Sequence, residues 1–202
     1  MTPTLIPIKT TTVIKATHHG ANARTVTGNV FKDWNIGTGY IKAMTFTYWN
    51  GNSSLSNNTI SNINGQGAVT GITIGASSNA ATSIAIANNT INNLSSTVTG
   101  GAVIGITCTN TSTLIDINGN TINTLSSTGV GAVTAISIGN ATTTNVFKNK
   151  IYDISGSNAA STVNGILVSG GTTVNIHNNI IGDLRAPIAS AASAATANQL
   201  VG

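Results

Sequence analysis

The sequence predicts an all-β protein coiled as a parallel β-helix, or β-solenoid, of about six rungs with three short strands in each rung. Three observations predict this fold: a composition suited to strands and turns, a repeat of about thirty residues, and equivalent positions that carry the same class of residue. Only 6% of the 202 residues are charged, 40% are hydrophobic, 22 are glycine, and none is glutamate. Residues that cover exposed helix faces are therefore scarce, whereas strand and turn formers are abundant.

An asparagine motif recurs along the chain with a period typical of solenoid proteins. Its shared asparagine returns after 29 to 31 residues at each step. The copies are GNVFKDW (28–34), NNTISNI (57–63), NNTINNL (88–94), GNTINTL (119–125), KNKIYDI (148–154) and NNIIGDL (178–184).

Each repeat contains three short β-like runs separated by clusters of Gly, Ser, Thr and Asn. One run carries the asparagine motif, a second reads V-x-small-I-x-apolar, as in 103–108, and a third precedes the asparagine, as in 115–117. No stretch has helical spacing long enough for a crossover helix. We therefore expect each strand to pair with its equivalent one rung away, so that six rungs at about 4.8 Å give a length of about 29 Å.

Stacked rungs require uniform columns, and four apolar columns are present. Each buried aliphatic side chain contributes about 1.5–3 kcal/mol, so these columns are the main stabilising contribution. The columns are Phe31, Ile60, Ile91, Ile122, Ile151 and Ile181; Trp34, Ile63, Leu94, Leu125, Ile154 and Leu184; Val26, Leu55, Ile86, Ile117, Val146 and Ile176; and Met44, Ile72, Ile106, Ile136 and Ile166.

The recurring asparagine forms the polar counterpart of these columns. A buried asparagine at a turn bonds the backbone there and, through its amide, the asparagines above and below. We interpret the column as a structural ladder of Asn29, Asn58, Asn89, Asn120, Asn149 and Asn179.

The whole chain, 1–202, is expected to be a single domain. Residues 1–27 are expected to form an N-terminal partial rung or cap, residues 28–184 the regular repeats, and residues 185–202 an Ala/Ser-rich tail or partial rung. Loop lengths differ between rungs at particular corners, which is where a solenoid places a binding surface.

Charge and hydropathy exclude several classes of function. The net charge of +4 comes from eight scattered cations with no run of three, so no nucleic-acid groove is predicted. No run of about 18 apolar residues would span a membrane. The N-terminus lacks the apolar segment of a secretory signal, so we expect either that Met1 begins an engineered segment or that an export signal lies outside this segment.

Only four acids occur, and they allow two interpretations. Asp153 and Asp183 hold equivalent positions on adjacent rungs, where carboxylates about 5 Å apart are compatible with retaining glycosidase chemistry. The same column, however, contains Asp33, Asn62, Asn93 and Thr124, which interchange where a side chain caps a turn. Capping is the favoured interpretation, and Asp153 and Asp183 are weak catalytic candidates.

The remaining acid, Asp116, shares an outward column with Ala85, Asn145 and Asn175 and is expected at the surface. Since no cluster of three acids can be assembled, we predict no calcium site, no other metal and no cofactor.

The remaining candidates are aromatic, histidine and cysteine residues. Tyr48 and Trp49 lie at a loop and are weak candidates for stacking on a sugar, the alternative being that they cover the first rung. Cys108 shares a column with interior residues, so we expect a buried small hydrophobe.

The histidines give no metal site. Adjacent His18 and His19 lack a third ligand, and His177, which we matched to Ala87, Asn118 and Lys148, is expected to be ordinary surface variation.

The NNTI-x-x-[IL] and AV-x-G-I-x-I repeats, which cover roughly residues 24–184, resemble those of very large secreted bacterial surface proteins. Those proteins carry β-strand repeats and are exported through the type IX secretion route. The architecture also resembles the right-handed parallel β-helices of the pectate-lyase-like superfamily, including their asparagine ladders. The resemblance implies right-handed coiling, export, and surface attachment or adhesion.

We therefore expect a non-enzymatic extracellular structural or adhesive solenoid that self-associates end to end through its open rungs. The alternative is a β-helix that binds or cleaves a polysaccharide along one face. A remote alternative is ice binding through outward threonine ranks such as Thr59, Thr90 and Thr121, which break to Lys150 and Ile180.

Overall fold

The protein is described here by a computed structural model. The structure describes residues 10–17, 22–49, 51–75, 83–97, 101–186 and 200–201. These residues form nineteen strands and no α-helix, and every pairing between strands is parallel. The predicted all-β solenoid is thereby confirmed.

Sheet A has seven strands in the order β1-β4-β7-β10-β13-β16-β19. They are β1 Thr10–Thr17, β4 Tyr40–Thr47, β7 Val69–Ile74, β10 Val103–Cys108, β13 Val133–Ile138, β16 Val163–Val168 and β19 Leu200–Val201. The first and last of these strands come from the predicted N-terminal and C-terminal partial rungs.

Sheets B and C each have six strands. Because every third strand along the chain belongs to the same sheet, the chain passes through A, B and C in turn in each rung. Sheet B consists of β2 Thr25–Thr27, β5 Ser53–Ser56, β8 Ser83–Ala87, β11 Leu114–Asn118, β14 Thr143–Phe147 and β17 Thr173–His177. Sheet C consists of β3 Val30–Ile36, β6 Thr59–Gly65, β9 Thr90–Ser96, β12 Thr121–Ser127, β15 Lys150–Gly156 and β18 Ile180–Arg185.

The register confirms the four apolar columns. Ile91 pairs with Ile60 and Ile122, and Ile106 pairs with Ile72 and Ile136. These side chains are fully buried in one continuous core. Ile14 in β1 pairs with Met44, so the fourth column extends one rung further than predicted.

A bend inside each sheet C strand explains why two interior columns lie three residues apart. The residue at the bend has a left-handed backbone, with φ of 52° at Asn93 and 54° at Thr124. Such a residue interrupts the alternation of a strand, so that Ile91 and Leu94 both face the core. The full set is Asp33, Asn62, Asn93, Thr124, Asp153 and Asp183.

The small residue in the V-x-small-I motif also has a packing reason. A Cβ on Gly105 would lie 2.6 Å from the carbonyl oxygen of Ala135 and 3.0 Å from Cγ2 of Ile122. This position therefore faces the next rung at close range, and even a single Cβ at Gly105 would require a shift of the neighbouring backbone.

Candidate functional site

The asparagine ladder occupies the corner between sheets B and C, and its hydrogen bonds confirm the prediction. Asn89 Nδ2 donates to Asn120 Oδ1 at 3.0 Å and to the carbonyl of Leu55 at 3.0 Å. The backbone N–H of Asn89 also donates to Asn120 Oδ1, at 2.9 Å. The same pattern links consecutive members from Asn29 to Asn179.

Each ladder asparagine follows a residue with positive φ, a feature that the sequence analysis missed. This preceding position turns the chain sharply between the two sheets, which places the carboxamide inside the corner. The residues are Gly28, Asn57, Asn88, Gly119, Lys148 and Asn178. The preference for Gly and Asn was a usable signal, but Lys148 gave none.

The bend residues of the first three rungs of sheet C form a second, exposed rank of side-chain hydrogen bonds, which ends at Thr124, whose hydroxyl donates to Asn123 Oδ1 of the same strand. Asn62 Nδ2 donates to Asp33 Oδ1 at 2.8 Å, and Asn93 Nδ2 donates to Asn62 Oδ1 at 2.9 Å. The structure gives this column a structural reason other than the predicted turn capping: its left-handed backbone favours Asp and Asn, and the side chains of the first three members bond along the axis.

A groove of about 310 Å³ runs beside this rank across the first three rungs of sheet C. Its volume lies at the lower end of the range for small-ligand sites. Carboxamide and hydroxyl groups in the lining offer both donors and acceptors. The lining residues are Asp33, Trp34, Asn35, Asn62, Ile63, Asn64, Asn93 and Ser95. Sequence reasoning missed the groove because it assigned Trp34 to the core alone, whereas Trp34 is only half-buried.

Asp153 and Asp183, the weak catalytic candidates, meet at Arg185. The guanidinium of Arg185 forms an ion pair with a carboxylate oxygen of Asp153, and its Nη1 lies 3.3 Å from Asp183 Oδ2. The two carboxylates therefore share one guanidinium as their partner. The arrangement favours a surface ion-pair cluster.

The other two acids also pair with a neighbouring rung. Asn145 Nδ2 donates to Asp116 Oδ1 at 2.7 Å, and Asn175 Nδ2 donates to Asn145 Oδ1 at 2.9 Å. Asp33 accepts from Asn62, as described above, and lies 3.6 Å from Nζ of Lys32. Within the described residues, no group of three or more His, Cys, Asp or Glu side chains is placed to hold a metal ion.

Trp49 is buried, which corrects its role as a sugar-stacking candidate. Its exposed fraction is 2%, and the centroid of its ring lies 4.2 Å from the centroid of the Phe46 ring. The guanidinium carbon of Arg24 lies 5.8 Å from the ring centroid. Trp49 therefore offers no ring face to a sugar in this position. Tyr48 is half-buried with φ of 56° and stays a weak candidate.

The prediction for His177 was wrong in its register. Phe147, not Lys148, is the rung neighbour of His177, and the two rings stack with centroids 5.3 Å apart. His177 is nonetheless exposed, as expected. His18 and His19 lie outside the described residues.

Cys108 is fully buried between Ile74 and Ile138 in its column. Burial raises the pKa of its thiol to about 12, partly offset by a hydrogen bond from the backbone of Asn110. A thiol of this kind is inert as a nucleophile near neutral pH. The predicted role as a small core hydrophobe agrees with this placement.

The last rung exposes residues of the interior columns. Ile176 is 47% exposed and Val168 is 44% exposed, whereas Ile117 and Cys108 in the same columns are fully buried. Only the first two residues of β16 pair with β19. Unpaired strand edges and exposed apolar columns therefore occur together at this end of the described solenoid.

Comparison with protein-family models, with curated proteins and with solved structures finds no match for this chain. Among the residues that the structure describes, no helix is long and apolar enough to cross a membrane.

Proposed function

We propose that this chain is a non-enzymatic extracellular structural or adhesive solenoid whose copies associate end to end. One observation carries the proposal: all four carboxylates of the sequence are paired with side chains of the stack. Asp33 and Asp116 accept hydrogen bonds from asparagines of the next rung, and Asp153 and Asp183 share Arg185. Asp33, Asp116 and Asp153 therefore pair across adjacent rungs, and Asp183 pairs with Arg185 of its own strand, so that Arg185 links the last two rungs.

The resemblance of the repeats to large secreted bacterial surface proteins supports an extracellular or cell-surface location and export by the type IX route. The pectate-lyase-like likeness supports right-handed coiling. Antibody against the chain should label intact producing cells, and labelling should vanish after brief protease treatment of those cells. Labelling only after lysis would contradict the location.

Self-association is tested by light scattering over a wide concentration range. The exposed interior residues at the last rung, Val168 and Ile176, together with free strand edges, favour stacking of another rung. The average mass should rise with concentration. A constant monomer mass at every concentration would contradict end-to-end association.

Polysaccharide binding is the second candidate, and the groove on sheet C, where Trp34 lies beside carboxamide side chains, favours it. A glycan array with the wild type and with an Asn35→Ala, Asn64→Ala double variant tests this candidate, because both side chains line the groove. Asn175→Ala is the matched control on sheet B. Binding that disappears only in the double variant would establish a saccharide site. A polysaccharide-cleaving activity would release reducing ends and be lost in Asp153→Asn.

A further inference from the structure

The two ends of the described solenoid carry strands of the same three sheets. The first rung consists of β1, β2 and β3, and the last full rung consists of β16, β17 and β18. Sheets B and C end at these rungs, and sheet A continues only into the two-residue strand β19. A second copy placed on the last full rung would therefore meet strand edges with its own β1, β2 and β3.

The asparagine ladder has a direction, and its two ends are complementary. Each ladder asparagine donates to the Oδ1 of the next rung, as from Asn58 to Asn89 and from Asn149 to Asn179. Within the described residues, the Oδ1 of Asn29 accepts no hydrogen bond, and the backbone N–H of Asn179 has no acceptor. Asn29 of a second copy would supply the acceptor that Asn179 lacks.

The apolar columns are complementary in the same register. Continuing each column by one rung places Ile14 of a second copy on Ile166 and Val26 on Ile176, following the pairings seen inside the chain. On the outer face, the two ends of one column are the most exposed large hydrophobics of the described residues. These are Val30 at 61% and Ile180 at 66%, and stacking would make them neighbours.

Strand β19 occupies part of the edge that β1 of a second copy would use. Leu200 and Val201 pair with Val163 and Asn164. Inside the chain, β1 pairs with β4 at seven positions, whereas β19 pairs with β16 at two. Strand β19 belongs to the same chain as β16, so its effective concentration at this edge is high. However, β1 of a second copy can make the same backbone pairings and also pairs along more of β16.

One contact at such a junction is unfavourable. Asp33 of the second copy would adjoin Asp183, and like charges directly opposite on neighbouring strands are destabilising. Inside the rank, the side chain on the later rung donates to the side chain on the earlier rung, as Asn62 donates to Asp33. An ionised Asp33 has no proton to donate in that direction. Arg185, 3.3 Å from Asp183, offsets part of the repulsion.

We propose that copies join head to tail in this one register, with the first rung of one copy on the last full rung of another, and that β19 and the Asp33–Asp183 pair limit the association. The proposal rests on the end-to-end association proposed above and names its surface. Such a contact is heterologous, so it propagates into an open filament.

Cysteine cross-linking tests the register. In a mixture of Lys15→Cys and Leu167→Cys proteins, the two cysteines would be rung neighbours at the junction, since residue 15 belongs to the column of Thr45, Ser137 and Leu167. A spacing of about 4.8 Å suits a disulfide. Both native side chains are exposed, and buried Cys108 does not compete. We expect a heterodimeric disulfide.

The matched control is a mixture of Lys15→Cys and Ser137→Cys proteins, which places the cysteines two rungs apart and should give no cross-link. Association without a cross-link in the first mixture would overturn the register while leaving self-association in place. Equal cross-linking in both mixtures would overturn it as well.

The two limiting features are tested by light scattering. A Leu200→Pro, Val201→Pro double variant removes both backbone donors of β19 and should associate at about tenfold lower concentration, equivalent to about 1.4 kcal/mol. Asp33→Asn should also strengthen association, because it removes a charge and supplies a donor. Asp116→Asn is the control, since Asp116 likewise accepts from an asparagine but lies in the middle of the stack.

The outcomes separate the two proposals. Unchanged association in both the double-proline variant and Asp33→Asn would overturn the roles of β19 and the carboxylate pair. No association in the wild type or in any variant would overturn end-to-end association itself.

Discussion

Replacing one ladder asparagine by an apolar residue of similar size should strongly destabilise the solenoid. Asn89 is 1% exposed, and its side chain takes part in four hydrogen bonds. In Asn89→Leu, the backbone N–H of Asn58 loses its acceptor, and the carbonyl of Leu55 loses the donation from Nδ2. At about 1–3 kcal/mol for each buried group left without its partner, the expected loss is about 2–6 kcal/mol.

Urea unfolding followed by circular dichroism measures this loss, with Asn92→Ser as the matched control. Asn92 lies in β9, directly after the corner that holds Asn89. Its Oδ1 makes no hydrogen bond, and its rung neighbour Ser61 shows that serine fits this column. The control should change the free energy of unfolding by less than about 0.5 kcal/mol. If Asn89→Leu is as stable as the control, the ladder does not have the role assigned to it.

Three further predictions use the same unfolding assay or a simple labelling assay. Thr124→Asn should stabilise the protein by about 1 kcal/mol, because the β-branched Thr124 has φ of 54° and asparagine tolerates that backbone better. A loss of stability would contradict the left-handed backbone at this bend. Gly105→Val should cost about 1–3 kcal/mol by overpacking against the next rung, whereas outward Thr107→Val should be nearly neutral; equal effects would refute the packing argument. Cys108, with its raised pKa of about 12, should resist thiol reagents at pH 8 until urea unfolds the chain. Rapid labelling of the native protein would show that reagents reach the interior column of Cys108.

The columns and the ladder were predictable because stacking repeats one environment at every rung. Ile91 and Ile122 sit in equivalent surroundings, so the sequence shows the same residue class at both positions. The small residue at Gly105 was visible as a pattern, but its reason, a carbonyl of the next rung at close range, required coordinates.

Features that depend on the backbone or on distant residues were not predictable. Positive φ at Asn93 leaves a compositional trace, whereas the same conformation at Lys148 and Thr124 leaves none. Trp49 is buried through contacts with Arg24 and Phe46, and the pattern of its own loop did not contain that information. The groove also escaped prediction, since its walls come from bends in three different strands.

The central claim is that residues about thirty apart in the sequence are direct neighbours along the solenoid axis. Disulfide formation in a Thr90→Cys, Thr121→Cys double variant tests it, because these half-exposed residues pair across adjacent rungs. The account predicts a complete intramolecular disulfide there and none in Thr90→Cys, Lys150→Cys, where the residues are two rungs apart. No disulfide in the first variant, or an equal yield in the second, would contradict the stacking of rungs.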